Sequence, residues 1–133
     1  MSATDIDHTR RDYDRAEAGR RAFVDVMTFP PAPPADHSPT TTHLLDFVFA
    51  EVWRRPVLSR RDRRFITLPC VAAADAEAPL RDHVYAALNS GDLTIVEMQE
   101  TVLHFRGVRR LAEGIAVQHG GRRAMGADPP GAR

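Results

Sequence analysis

A single all-α domain is the fold class this sequence predicts, and three observations predict it. Apolar residues recur at helical spacing over several stretches, helix-start residues precede those stretches, and no alternating strand pattern or internal repeat appears. The 133 residues suffice for one compact domain and are too few for two. A chain of this size buries roughly two-thirds of its unfolded surface, so it needs no covalent staples.

The first element is a helix from about Asp7 to Met27, or two short ones interrupted at Gly19, with Ala16, Ala18, Ala22, Phe23 and Val26 as its sparse apolar positions. Thr28 to Pro39 carries five prolines within ten positions, Pro30, Pro31, Pro33, Pro34 and Pro39. Proline removes the N–H donor and fixes φ, so this stretch reads as an extended connector rather than as bait for a proline-recognition module. From Thr40 the pattern turns helical: Leu44, Leu45, Phe47, Val48, Phe49, Val52 and Trp53 leave little polar circumference, which predicts a mostly buried helix ending before Pro56. Ser59 with Asp62 three residues on marks the next start. That helix carries Phe65, Ile66, Leu68, Val71 and Ala72, with a kink or break expected at Pro69. Pro79 suits the first turn of a further helix that runs to Asn89 and closes at Gly91. Thr94 with Glu97 has capping-box spacing, ahead of Ile95, Met98, Val102 and Phe105 on one stripe. From Gly120 the tail is too poor in apolar residues to fold by itself. The expected organisation is an N-terminal helical segment and connector over 1–39, a helical domain over 40–119 and a disordered tail over 120–133.

Eighteen acidic and eighteen basic residues cancel, which argues against a general nucleic-acid binder. All the basic residues are arginine, a mark of GC-rich codon usage more than of mechanism. One cysteine, Cys70, precludes an internal disulfide framework and a multi-thiolate metal cage. No membrane-spanning run and no apolar leader core is visible, so a cytoplasmic location away from membranes is expected.

Three groups of residues could carry chemistry. His83 sits in Leu80–Asn89, where a helical histidine is more often structural than catalytic. Glu100 and His104, at i and i+4, can hydrogen-bond and orient the imidazole, although a surface pair is the plainer reading. Arg54, Arg55, Arg60, Arg61, Arg63 and Arg64 fall within eleven residues. They form either a solvated helix start paired with Asp62 and Glu51 or a cradle for an anion, since arginine binds carboxylates bidentately. No third ligand joins any candidate metal pair, so no metal is expected.

The segment from Phe49 to Arg63, then Leu68, His83 with Ala87-Leu88-Asn89-Ser90-Gly91, and Glu97, Glu100 and His104 together resembles the carboxymuconolactone decarboxylase family in order and spacing over residues 44–105. The resemblance implies a small all-helical fold of the alkylhydroperoxidase D-like type that assembles as trimers or hexamers. It also implies cofactor-free loss of CO2 from a carboxylated lactone of the 4-carboxymuconolactone type, in aromatic catabolism. By the same resemblance His83 is the proton donor, Arg63 binds the substrate carboxylate, and Glu100 and His104 support them. Pro79 stands where many members carry a glutamate one turn before the histidine, which sets the substrate in question and leaves a catalytically silent helical oligomer as the alternative. The family also holds thiol peroxidases, labelled with peroxiredoxin activity, whose two cysteines fall at positions occupied here by Ala76 and Pro79. Cys70 has no resolving thiol, so a dithiol relay is excluded within one chain.

Beyond Phe105 the resemblance implies a Tyr-x-Gly-x-Pro segment and one more long helix, neither of which is present. Either the chain is shortened to a helix over Arg109–Gln118, or it runs out of frame from residue 106. The second reading is favoured. Codons exist for residues 106–126 that, on loss of one base, read Ala-Val-Tyr-Ala-Gly-Trp-Pro-Lys and continue into a helix-like pattern. A one-base insertion also accounts for a tail rich in Arg and Gly. Sequencing the gene across the Arg106 codon decides between the two.

Overall fold

Gly19 shows how the first two helical segments meet: a Cβ there would lie 2.5 Å from the carbonyl oxygen of Leu45. Only a residue with no side chain permits that approach, so the glycine that threatened to split the first helix is instead a packing site. A computed structural model describes residues 3–125, with side chains described for 13–117. Every regular element among the described residues is helical. Helix α1 spans Ala3–Met27 and α2 spans Pro39–His43, running on directly as a π-helix over Leu44–Val52. Helices α3 (Arg60–Ala73), α4 (Glu77–Asn89) and α5 (Ile95–Met125) follow. The molecule divides into two units, residues 1–94 and 95–133. The boundary between these two units falls at Thr94.

In the first unit, α1 packs on the π segment, and Ala22, Val26 and Met27 share a buried cluster with Leu45, Phe49 and Ala86. The N-terminal helix is thus part of the core. Phe23 closes the cluster edge-on, with its ring 4.7 Å from Phe49 and 5.7 Å from Phe29. The connector bends at Thr28–Phe29, where Thr28 has a φ of +64°, and makes a single 3-10 turn at Pro34–Asp36, after which His37 reaches back to the carbonyl of Ala32 at 2.7 Å. Ser38 caps α2 by accepting from the Thr41 N–H, with Pro39 in its first turn.

The π segment corrects one expectation. Of its apolar residues only Leu45 and Phe49 are buried, while Leu44 and Phe47 are exposed. A helix apolar on most of its circumference can bury only the face another element covers, and here that element is α1.

Ser59 and Asp62 form the complete capping box predicted for α3. Two expectations for this helix need correction. It continues through Pro69 to Ala73 without a break, and its buried face is formed by Arg63, Arg64 and Leu68, whereas Phe65 and Ile66 are exposed. Helix α4 begins two residues before Pro79, which occupies the first turn as expected. It closes on Gly91, whose φ of +73° lets the Leu93 N–H return to the Ala87 carbonyl at 3.1 Å.

The second unit is α5, which begins after Thr94 as predicted. It continues well past the 109–118 segment expected of a shortened helix, and no residue from 95 to 117 is buried. The expected tail over 120–133 lies largely outside the described residues.

Candidate functional site

Spacing along two helices builds the site. Phe49 and Trp53 lie four residues apart along and just beyond the π segment, and their rings stack at 6.3 Å, 9° from parallel. On α4, His83 is stacked on the same Trp53 ring at 6.3 Å and 10°. The guanidinium of Arg64, from α3, lies 5.2 Å from the centre of the Trp53 ring. Cations are attracted to the indole π-face, most strongly when water is excluded. Trp53 is therefore where the imidazole and a cation meet.

Arg64 is fully buried. Its Nη2 donates to the carbonyl of Val26 at the end of α1, and its Nε donates to Asp92 at 3.2 Å. Asp92, just past α4, also accepts two bonds from Arg60 Nε, at 2.7 and 2.9 Å, while Arg61 donates to its carbonyl at 3.0 Å. Burial opposes ionisation of Asp92, but the bonds from Arg60, Ser90 and Arg64 hold its carboxyl below the ordinary range. The arginine-rich segment is thus tied mainly to Asp92. Of the acids expected to pair with it, Asp62 serves the helix cap, with the charges of Arg61 and Arg63 helping to hold its carboxyl below the ordinary range, and Glu51 pairs with Arg15 of α1. Arg60 also approaches Asp25 of α1 at 3.7 Å.

His83 is mostly buried and its Nδ1 has no hydrogen-bond partner. Burial, reinforced by the Arg64 charge and only weakly opposed by Asp82, pushes its pKa down to about 4. Its resting form at neutral pH is the uncharged imidazole. Arg63 is also buried, but its Nη2 donates to the Arg55 carbonyl at 2.8 Å and its Nε has no partner. The arginine that acts on His83 is Arg64, one position along the helix from the arginine singled out by sequence. Glu100 and His104 lie exposed on α5, within the second unit.

Sequence reasoning assigned no part beside His83 to Trp53, Arg64 or Asp92. The first two stood inside recognised patterns, an apolar stripe and an arginine run. Asp92 carried only a weak signal, an acid directly after the helix-closing Gly91. A cleft of about 450 Å³ lies between α1, from Ala18 to Val26, and Trp53 with Arg54. Among the described residues no group of three or more His, Cys, Asp or Glu could hold a metal ion. Among the described residues no helix is long and apolar enough to cross a membrane. Cys70 is a free, exposed thiol.

Comparison with known proteins gives two related sequences. The chain is 40% identical over 58 residues to 4-carboxymuconolactone decarboxylase of Acinetobacter baylyi, covering 44% of this chain and 42% of that one. It is 34% identical over 61 residues to nitrosuccinic acid decarboxylase of Metarhizium robertsii, covering 46% of this chain and 42% of that one. The chain thus spans about two-fifths of the length of these relatives. No family model and no solved structure matches it.

Proposed function

We propose that the chain is a member of the carboxymuconolactone decarboxylase family, which its likeness to two decarboxylases over 44% and 46% of its length supports, and that it removes CO2 from a small carboxylated lactone of the 4-carboxymuconolactone type without a cofactor. The observation that carries this reading is that both relatives, named for different substrates, are decarboxylases. Loss of CO2 breaks the carbon–carboxylate bond and leaves its electron pair delocalised into the lactone carbonyl. The site must stabilise that oxyanion and return a proton to carbon. His83 is the proposed proton donor. In the free protein it is uncharged, and a substrate carboxylate beside its unpartnered Nδ1 favours the imidazolium, so binding itself draws in the proton. Arg63 is the proposed holder of a substrate carboxylate, with Glu100 and His104 in supporting roles. The protein acts as a homo-oligomer, a trimer or hexamer, which would cover exposed apolar residues such as Phe47, Val57 and Ile66.

A second reading, a catalytically silent helical assembly, draws on the cleft: it is lined by α1, Trp53 and Arg54, and His83 does not border it. Incubation with candidate muconolactones and nitro acids, followed by CO2 release, separates the two. The decarboxylase reading expects release that is lost in His83→Asn and a Michaelis constant weakened by about 1.5–3 kcal/mol in Arg63→Ala, the range for a charge-assisted bond. No release from any of these acids by a folded, assembled protein leaves the silent assembly.

A further inference from the structure

Two arginines share one carboxylate beside Trp53. Arg60 takes both oxygens of Asp92, whereas Arg64 reaches it through Nε alone, at 3.2 Å. The Nη1 of Arg64 is buried with no partner. The fully buried guanidinium is therefore only partly neutralised, and a charge in that position acts over a longer range than it would in water. His83 is stacked on the same Trp53 ring, at 6.3 Å, that the Arg64 guanidinium approaches at 5.2 Å.

We propose that Arg64 is a positioning residue, a buried guanidinium that adds its charge to the effect of burial in keeping the His83 ring neutral alongside Trp53. The role of His83 in proton delivery rests on the decarboxylase reading, but the coupling between Arg64 and His83 does not. Other residues constrain His83 less. Asp82, on α4 itself, favours the charged ring but is outweighed, and the packing partner beyond the π segment is the uncharged Trp53. Asp92 acts through Arg64: it anchors Nε while the Val26 carbonyl anchors Nη2, which fixes the guanidinium against the indole. Arginine suits this task because it stays charged when buried, where lysine readily loses its proton.

The test is a pH titration of the His83 ring protons by NMR, with no substrate present, so that its outcome is independent of catalysis. In the wild-type protein the midpoint is expected near 4. Arg64→Gln removes the charge while Asp92 keeps its bonds to Arg60, and the midpoint is expected to rise measurably but to stay below the ordinary histidine value, because burial remains. Arg64→Lys is expected to hold it within a few tenths of the wild-type value at acid pH. An unchanged midpoint in Arg64→Gln overturns the proposal. So does an equal rise in Arg64→Lys, which would make packing rather than charge responsible. If the glutamine variant does not fold, Arg64→Met fills similar volume without the charge. If neither neutral variant folds, the wild-type Arg64 guanidinium resonances answer: they must shift with the His83 midpoint, and a flat response overturns the coupling. Should the enzyme prove active, the acid limb of kcat/KM moves with the histidine in each variant. Absence of activity with an intact coupled titration would count against the decarboxylase reading alone.

Discussion

Residues 1–94 and helix α5 are both built of regular helix, yet different forces hold them. In the first unit apolar residues converge: Val26 and Met27 of α1, Leu45 and Phe49 of the π segment and Ala86 of α4 are each 8% exposed or less. Its buried charges also converge, with arginines of α3 meeting Asp92 and the end of α1. In α5, Ile95, Val96, Leu103, Leu111 and Val117 are all at least 66% exposed, and the apolar residues fall on every side. Such a helix relies on backbone bonds and local pairs such as Arg109–Glu113, at 2.8 Å. A long helix is not evidence of a buried one: hydrogen bonds along the chain specify α5, whereas only burial specifies which helices form a core.

The largest expected effect comes from making α5 resemble the first unit. From Ile95 to Phe105 the stripe of Ile95, Met98, Val102 and Phe105 has helical spacing, and from residue 106 the pattern is lost. Replacing residues 106 onward with the alternative-frame sequence restores an aromatic-bearing, helix-like continuation. Burying even three of its large apolar side chains is worth on the order of 5 kcal/mol. The restored protein is expected to sediment as a defined oligomer with a sharp, raised melting transition, and the present chain to melt at lower temperature or aggregate. A well-behaved, cooperatively melting oligomer from the present chain would instead make residues 106–125 a native helix.

The two units also differ in how well the sequence disclosed them. The start of α3 at Ser59 and the first turn of α4 at Pro79 were legible because caps and prolines act locally, through one or two backbone groups. Gly19 and Arg64 were not, because their reasons lie in partners 26 and 28 positions away, Leu45 and Asp92. Periodicity marked Phe65 and Ile66 for the core of α3, but the buried face is cationic, with Arg64 held there by Asp92 and the Val26 carbonyl and Arg63 by the Arg55 carbonyl. His83 was found by resemblance; its stacking on Trp53 needed the fold.

A smaller effect separates the units by acid. His83 titrates near 4 when folded and near 6.5 when unfolded, so the unfolded chain binds more protons between those values. Its contribution is fully present above pH 6.5 and is lost as pH falls towards 4, a change of about 3 kcal/mol. Asp92 acts in the same direction at lower pH, since its depressed carboxyl contributes stability above its ordinary value and loses it as pH falls further. Urea unfolding of the first unit between pH 7 and 4 is expected to show this loss, and His83→Gln to remove most of it above pH 4. An equally steep loss in that variant would assign the acid sensitivity elsewhere.

The smallest effects are three glycine-to-alanine changes that bear on the same contrast. At Gly19 the added methyl meets the Leu45 carbonyl at 2.5 Å, a backbone atom that moves only if α1 or the π segment moves. Overpacking of this kind costs about 1–3 kcal/mol, so Gly19→Ala should lower the melting temperature despite the better helix propensity of alanine. At Gly107 and Gly114 the same methyl meets nothing within 4 Å. There the only change is backbone entropy, and each substitution should favour the helix by about 1 kcal/mol. The measurement is helical content and thermal midpoint by circular dichroism for all three. Opposite signs at Gly19 and at the α5 positions would confirm that one unit is limited by packing and the other by propensity. A loss of stability at Gly114 comparable to that at Gly19 would mean that a second surface closes on α5 in the assembled protein, and that its exposed face is an interface.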